Sequence, residues 1–187
     1  MAICETKKGR YIIMNVFKEI SPEAIRKNTF QMIGKEWMLI AAGDQNKANA
    51  MTASWGGFGV MYGKNVVYAV VRPQRYTKEF IDREDEFSLN FFEKEYKSTL
   101  KYMGSMSGRM EDKIEKSGLT LEFSGNTPYF NEARQILICK KLYAQPMEGK
   151  YIIDSKLDRT WYPNKDYHTL YIAEITKALK ATRQSTF

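Results

Sequence analysis

Asn49–Gly59 reads NAMTASWGGFG, and after a strand-like run it is followed by Arg72–Thr77, RPQRYT. The first segment is a run of small and hydroxyl residues ending in glycines. Thr52 and Ser54 supply hydroxyls, while Ala53, Gly56 and Gly57 keep the surface low. Backbone N–H and C=O groups can then come close to a flat ligand. The alternative is a strand with a glycine kink or bulge. The second segment sets Arg72, Arg75 and Thr77 around Pro73, just before a helical pattern. Guanidinium forks match phosphate oxygens, and the first N–H groups of a helix complete such a cradle. The alternative is a strand end broken by Pro73, with its arginines in weak surface pairs to Glu79 or Asp82. The residues alone leave both alternatives open.

Working outward, Val66–Val71 is apolar and β-branched, which predicts a strand buried on both faces. Tyr11–Val16 and Trp37–Ala42 are further strands. Glu86–Phe92 alternates Phe87, Leu89 and Phe91 with Ser88 and Asn90, the pattern of a half-buried strand. Gln135–Ala144 and His168–Ile175 are long strand candidates. Ser21-Pro22-Glu23 is a helix start, with the helix ending near Asn28. A two-turn helix after Thr77 carries Phe80 and Ile81. Glu95–Met103 and Met110–Lys116 are short helices separated by Gly104–Gly108. Gln145–Pro163 reads as short strand or turn pieces. Roughly six to eight strands with three or four short helices favour a mainly β, mostly antiparallel barrel over a doubly wound parallel sheet.

The 187 residues suit one domain, 1–187, with a single core. Hydrophobic content of 43% and charged content of 27% are ordinary for a globular protein. Aromatic content of 13% suits a β-rich fold or a site that stacks planar ligands, with core packing as the alternative. The net charge of +7 is dispersed among acids, and there is no basic block. Nucleic acid is therefore not an expected partner. The basic stretch Lys177–Arg183 reads as a solvated tail. Cys4, near a frayed terminus, and Cys139, a small core hydrophobe, make neither a disulfide framework nor a metal site. The lone His168 argues against structural zinc. Lys7, Lys8 and Arg10 are followed by no apolar signal-peptide core. No run approaches the ~18 apolar residues that span a bilayer. The expected setting is a reducing cytoplasm, away from membranes.

Ser105–Arg109, SMSGR, is a third polar loop, either near a ligand or a plain connector. His168 opens an alternating run, where it could donate a proton or a hydrogen bond, or be a structurally bonded or surface histidine. Trp55 could stack on a planar ligand or pack internally. No nucleophile elbow or P-loop is present. Gly57-Phe58-Gly59 lacks the third glycine of a dinucleotide fingerprint, since Tyr62 stands there.

In this order, NAMTASWGGFG, VVRPQRYT, FSLNFF, SMSGR and YHTLYIAEI resemble the flavin reductase-like, FMN-binding split-barrel family, nearest its flavoredoxin-type branch. The resemblance runs from Gly34 to Ile175. It implies a Greek-key split β-barrel with outer helices, a homodimer, and non-covalent FMN near the subunit interface. Carried over by position, Asn49, Met51, Thr52, Ala53 and Ser54 line the isoalloxazine and ribityl chain, with Trp55 beside them. Arg72, Arg75 and Thr77 hold the phosphate. Ser107 and Gly108 belong to a loop close to the cofactor, and His168 matches the histidine that opens a late strand. NAD(P)H would give hydride to the flavin, whose developing negative charge would meet oriented N–H groups. No dedicated acid–base side chain is implied, with His168 the one possible exception. Electrons would pass to free flavin, a partner protein or a metal complex. A second reading is a flavoredoxin-type carrier reduced by an acidic partner protein, for which the basic charge suits docking. A third is a binding domain for nucleic acid or another anion, without flavin.

Overall fold

The computed structural model describes residues 3–5, 11–13 and 15–182. The strands are β1 (Ile3–Glu5), β2 (Tyr11–Ile13), β3 (Val16–Ile20), β4 (Met38–Gly43), β5 (Ala48–Ala53), β6 (Gly56–Met61), β7 (Lys64–Val71), β8 (Glu86–Phe91), β9 (Leu121–Ser124), β10 (Thr127–Phe130), β11 (Gln135–Pro146) and β12 (Thr169–Thr182). The α-helices are α1 (Tyr76–Arg83), α2 (Lys97–Ser105), α3 (Lys113–Ser117) and α4 (Ser155–Trp161).

The principal sheet runs β5-β4-β8-β11-β12-β7-β6, with β3 added against β12. Neighbours in it are antiparallel. Its two edge strands, β5 and β6, are joined by Ser54 and Trp55 alone. Edges that follow one another this closely in the chain must lie side by side, so the sheet curls into a barrel with one seam left unbonded. This is the split barrel, a mainly β fold. Gly56 makes the corner. Its φ is 143°, and a Cβ there would stand 2.3 Å from the carbonyl oxygen of Tyr68.

The barrel interior is filled from β7, β8, β11 and β12 by Val67, Ala69, Phe87, Leu89, Leu137 and Tyr171, among others. The opposite face of β4, β8 and β11 is covered too. Leu39, Ala41, Ile136 and Ile138 pack against Leu100 and Met103 of α2 and Phe130 of β10. α1 presses Phe80 and Ile81 into the interior, which fixes its first turn beside β5. Cys139 is buried, and burial pushes its thiol pKa well up.

Several elements differ from their sequence patterns. β8 is buried on both faces rather than half-buried. Its Ser88 Oγ donates to the Pro128 carbonyl at 2.5 Å, and Asn90 Oδ1 accepts the Phe130 N–H at 3.0 Å. The unforeseen β9–β10 hairpin supplies these partners. Gln145–Pro163 holds α4, capped by Asp154, whose carboxylate accepts the Lys156 N–H at 2.8 Å. The expected helix after Ser21 is one 3₁₀ turn, Pro22–Ala24, because the Ser21 hydroxyl bonds Glu23 instead of the backbone. Tyr11–Val16 is divided between β2 and β3, and Met14 lies outside the described residues. Lys177–Thr182 is no solvated tail: it continues β12, paired with β3 and β11. Arg183 lies outside the described residues. No helix among the described residues is long and apolar enough to cross a membrane.

A candidate cofactor cleft along the barrel seam

Among the described residues β5 is a sheet edge, paired only with β4. Every second backbone N–H and C=O along it therefore lacks a ladder partner, a feature a flat polar ligand can use. Two cavities line up along this edge. One, of about 230 Å³, is bounded by Met51–Trp55, Arg72, Arg75, Trp161 and His168. The next, of about 130 Å³, is bounded by Met51, Arg75, Thr77, Ser107, Gly108 and Lys113. Met51 and Arg75 belong to both. Between them the two neighbouring cavities are lined by every expected site residue except Asn49, and two residues stand differently from the expectation.

The first difference is Arg72. It faces the larger cavity and is already satisfied. Its Nη1 donates to Asp166 Oδ2 at 2.5 Å and its Nη2 to the Trp161 carbonyl at 2.8 Å, and its guanidinium lies 5.2 Å over the Tyr162 ring. The second is Asn49, which lies beneath the smaller cavity rather than along the larger one. Its amide donates to Thr77 Oγ1 at 2.8 Å, and both side chains are buried. Gly108 rests directly on Asn49, since a Cβ there would stand 2.3 Å from Asn49 Oδ1. The Thr52 hydroxyl is also committed, donating to the Leu100 carbonyl of α2 at 2.5 Å. Thr52 therefore offers its backbone to the cleft. Ser107 lines the cavity, and its Oγ accepts the Arg109 N–H at 3.3 Å.

The smaller cavity is cationic. Arg75 donates to the Gly104 carbonyl at 2.7 Å, and burial, then the charge of Arg72, lowers its pKa. Lys113, which the sequence pattern did not single out, is 3% exposed. Its Nζ donates to the carbonyls of Met103 (2.9 Å) and Met106 (3.1 Å) at the end of α2, where a helix favours positive charge. Burial first, then Arg75, pulls its pKa down to about 8. Among the described residues neither cation has a carboxylate partner. One signal could have found Lys113. It opens the first turn of α3, where the helix dipole disfavours a cation, so something else must hold it there.

The larger cavity is aromatic. Trp55 meets Trp161 edge-on at 4.9 Å and His168 at 5.1 Å between ring centroids. His168 Nδ1 lies 2.8 Å from the Tyr162 hydroxyl. Burial, then Arg72, pulls its pKa down to about 4, so the imidazole is neutral at physiological pH. Trp161 comes from α4, in a region the sequence pattern reads as short strand or turn pieces.

Residues 30–186 match the family described as "Flavin reductase like domain". The chain belongs to the flavin reductase-like family. Among solved structures it is similar to an FMN-binding domain of a flavin reductases-like enzyme from Shewanella baltica: 18% identity, TM-score 0.65, covering 91% of this chain and 80% of that one. It is also similar to flavoredoxin from Methanosarcina acetivorans (21%, 0.62, covering 81% and 71%). A third is nitrilotriacetate monooxygenase component B from Bacillus cereus (16%, 0.61, covering 87% and 81%). At these identities the likeness establishes the fold. No curated protein matches the sequence significantly. In this flavin reductase-like chain the cleft offers a strand edge for a planar heterocycle and, one cavity away, two unpaired cations for an anion.

Proposed function

We propose that the chain is an FMN-binding oxidoreductase that moves electrons from NAD(P)H through FMN to a flavin or another acceptor. The observation that carries this reading is the pairing of the open β5 edge with the half-buried Arg75 and the buried Lys113, neither of which has a carboxylate partner among the described residues. Burying charge without a partner is costly, so such a site is built for an anion. A phosphate fits it. The Arg75 fork and the third Lys113 N–H can donate to its oxygens, with Thr77 at the first turn of α1. The Gly108 backbone, where a Cβ would press on the Asn49 amide, closes the cradle.

FMN, when bound, supplies the hydride and electron chemistry. The chain's own residues position and insulate it. The unpaired N–H and C=O groups of Met51–Ser54 would hold the heterocycle and could oppose negative charge developing on it. Trp55 and Trp161, packed edge to face, give the aromatic end an apolar wall. His168, held neutral against Tyr162, adds a hydrogen-bonding group without adding charge. We place the protein as a homodimer in the cytoplasm, with small flavin and nicotinamide substrates.

A second reading is a flavoredoxin-type carrier, reduced by an acidic protein partner. The net charge of +7 favours it, because complementary charge speeds docking. An anaerobic absorbance titration separates the two. Flavin bands that bleach on adding NADH or NADPH support the reductase. Bands that persist with both leave the carrier. No bands after incubation with FMN would overturn both. Light scattering should give about twice 21.8 kDa, and a monomer would remove the dimer from the proposal.

A further inference from the structure

The cationic cavity lies between two pieces of chain that are distant in sequence. One wall is residues 74–77, which lead into α1. The other is residues 105–108, the link from α2 toward α3. Two arginines tie the walls together, and they cross. Arg75, on the first wall, donates to the Gly104 carbonyl near the end of α2 at 2.7 Å. Arg109, just past the second wall, donates from Nη1 to the Gln74 carbonyl at 3.2 Å. Each bonds a carbonyl of the other's piece of chain. Arg75 lines the cavity as well. Arg109 lines neither the cationic cavity nor the aromatic one, so whatever it does there it does through its contacts.

Those contacts continue onto α1. Arg109 Nη2 pairs with the Glu79 carboxylate, and the guanidinium lies 4.7 Å over the Tyr76 ring. Tyr76 is itself fixed, since its ring meets that of the buried Phe80 edge-on at 5.0 Å. Gly108 fits against the same ring: a Cβ there would stand 3.2 Å from Tyr76 Cδ1. The ion pair is exposed, and alone such a pair contributes little. Here one side chain makes three contacts at once, all to α1 or the residues just before it. A loop of small polar residues otherwise has many conformations open to it, and ordering it when a ligand arrives costs affinity. Arg109 imposes that order beforehand.

We infer that Arg109 is a positioning residue, a clasp that holds residues 105–108 against α1 and so shapes the anion seat before the flavin phosphate arrives. This rests on the flavin reading above, and the test keeps the two apart. FMN and riboflavin are titrated into apo-protein and into Arg109→Ala, Arg109→Lys and Glu79→Ala, with dissociation followed by stopped-flow fluorescence. Arg109→Ala should lose roughly tenfold in FMN affinity, mainly as faster dissociation, while riboflavin stays within about twofold. Arg109→Lys, which keeps the charge and loses the fork, should recover part of that loss. Glu79→Ala decides between a clasp and a mere nearby charge. Removing an acid beside a cationic seat should strengthen anion binding by charge alone, whereas loosening the clasp should weaken FMN binding by about two- to threefold. Stronger FMN binding by Glu79→Ala would therefore overturn the inference. So would an unchanged FMN affinity in Arg109→Ala, or a parallel loss for riboflavin, which would mark Arg109 as structural only. A parent that binds FMN no better than riboflavin would also overturn it, and would leave the flavin reading standing with the phosphate elsewhere. A parent that binds neither flavin would remove both.

Discussion

Arg72 and Arg75 are three residues apart, yet they behave as opposites. Arg72 is tied to Asp166, to the Trp161 carbonyl and to the face of Tyr162. Arg75 reaches one carbonyl, that of Gly104, and otherwise faces a cavity beside Lys113. The difference extends to the two ends of the cleft. At the aromatic end, charge is cancelled: an arginine is paired and a histidine is kept neutral. At the other end, Arg75 and Lys113 stand together with no carboxylate partner among the described residues. A site that must hold an anion in one place and a nearly neutral heterocycle in the next needs this separation. A chain that left Arg72 free would offer the anion two competing seats.

The strongest way to break this contrast is substitution of each arginine in turn. Arg75→Ala should weaken FMN binding by roughly ten- to a hundredfold, the value of hydrogen bonds to a charged group. It should also reduce the preference for FMN over riboflavin. Arg72→Ala should leave that preference within about twofold if the phosphate sits, as proposed, between Arg75 and Lys113. Equal losses of preference in paired fluorescence titrations would show that the two arginines share the anion.

A smaller effect is expected at Gly108. Gly108→Ala places a Cβ against Asn49 Oδ1 and must displace the amide that holds Thr77. Overpacking of this kind costs about 1–3 kcal/mol, and weaker FMN binding should accompany a lower melting temperature. Gly118→Ala, where the left-handed backbone alone is strained (φ 73°) and space is open, should cost stability without touching FMN affinity. If both variants left FMN affinity unchanged, the cradle would not include the Gly108 loop.

Lys113 sharpens the contrast through pH. Its folded pKa, about 8, lies below its ordinary 10.5. In the apo-protein the charged form is therefore disfavoured by folding. That penalty is fully present below pH 8 and is relieved as pH rises from 8 to 10.5. A bound phosphate reverses the preference, so FMN affinity should fall several-fold as pH rises past 8, when Lys113 loses its proton. Lys113→Met should bind FMN more weakly near neutrality, flatten that decline, and unfold at higher temperature as apo-protein. A parent whose FMN affinity is level from pH 7 to 10 would take Lys113 out of the site.

Much of this was legible from residues. Val66–Val71, Gln135–Ala144 and the small-residue run at Asn49 carry their structures in local pattern, because a barrel strand is written in its own apolar and β-branched side chains. What was not legible depends on distant partners. Ser88 and Asn90 look like a solvent face, and the β9–β10 hairpin, some 40 residues on, makes them core by accepting the Ser88 hydroxyl and donating to Asn90 Oδ1. Arg72 and Arg75 cannot be told apart in RPQRYT, since Asp166 lies 94 residues from Arg72. α4 was missed because Asp154-Ser155 reads as a turn as readily as a helix cap. Trp161, on that helix, was lost with it.

The gentlest probe of the contrast is His168, the chain's single histidine. Burial, then the charge of Arg72, holds its pKa at about 4, below the ordinary 6.5. Folding therefore favours the neutral ring. Its contribution to stability is unpenalised above pH 6.5 and is lost progressively as pH falls from 6.5 toward 4. The imidazole resonances should accordingly stay constant from pH 8 to 5 and titrate near 4. Arg72→Ala removes the second cause, and the midpoint should move upward. Arg75→Ala should move it less, since Arg75 is the lesser of the two cationic causes. A midpoint near 6.5 in the parent would mean the aromatic end is wetter than the packing of Trp55, Trp161 and Tyr162 implies. The neutral half of the cleft would then have to be attributed to bound ligand rather than to the protein.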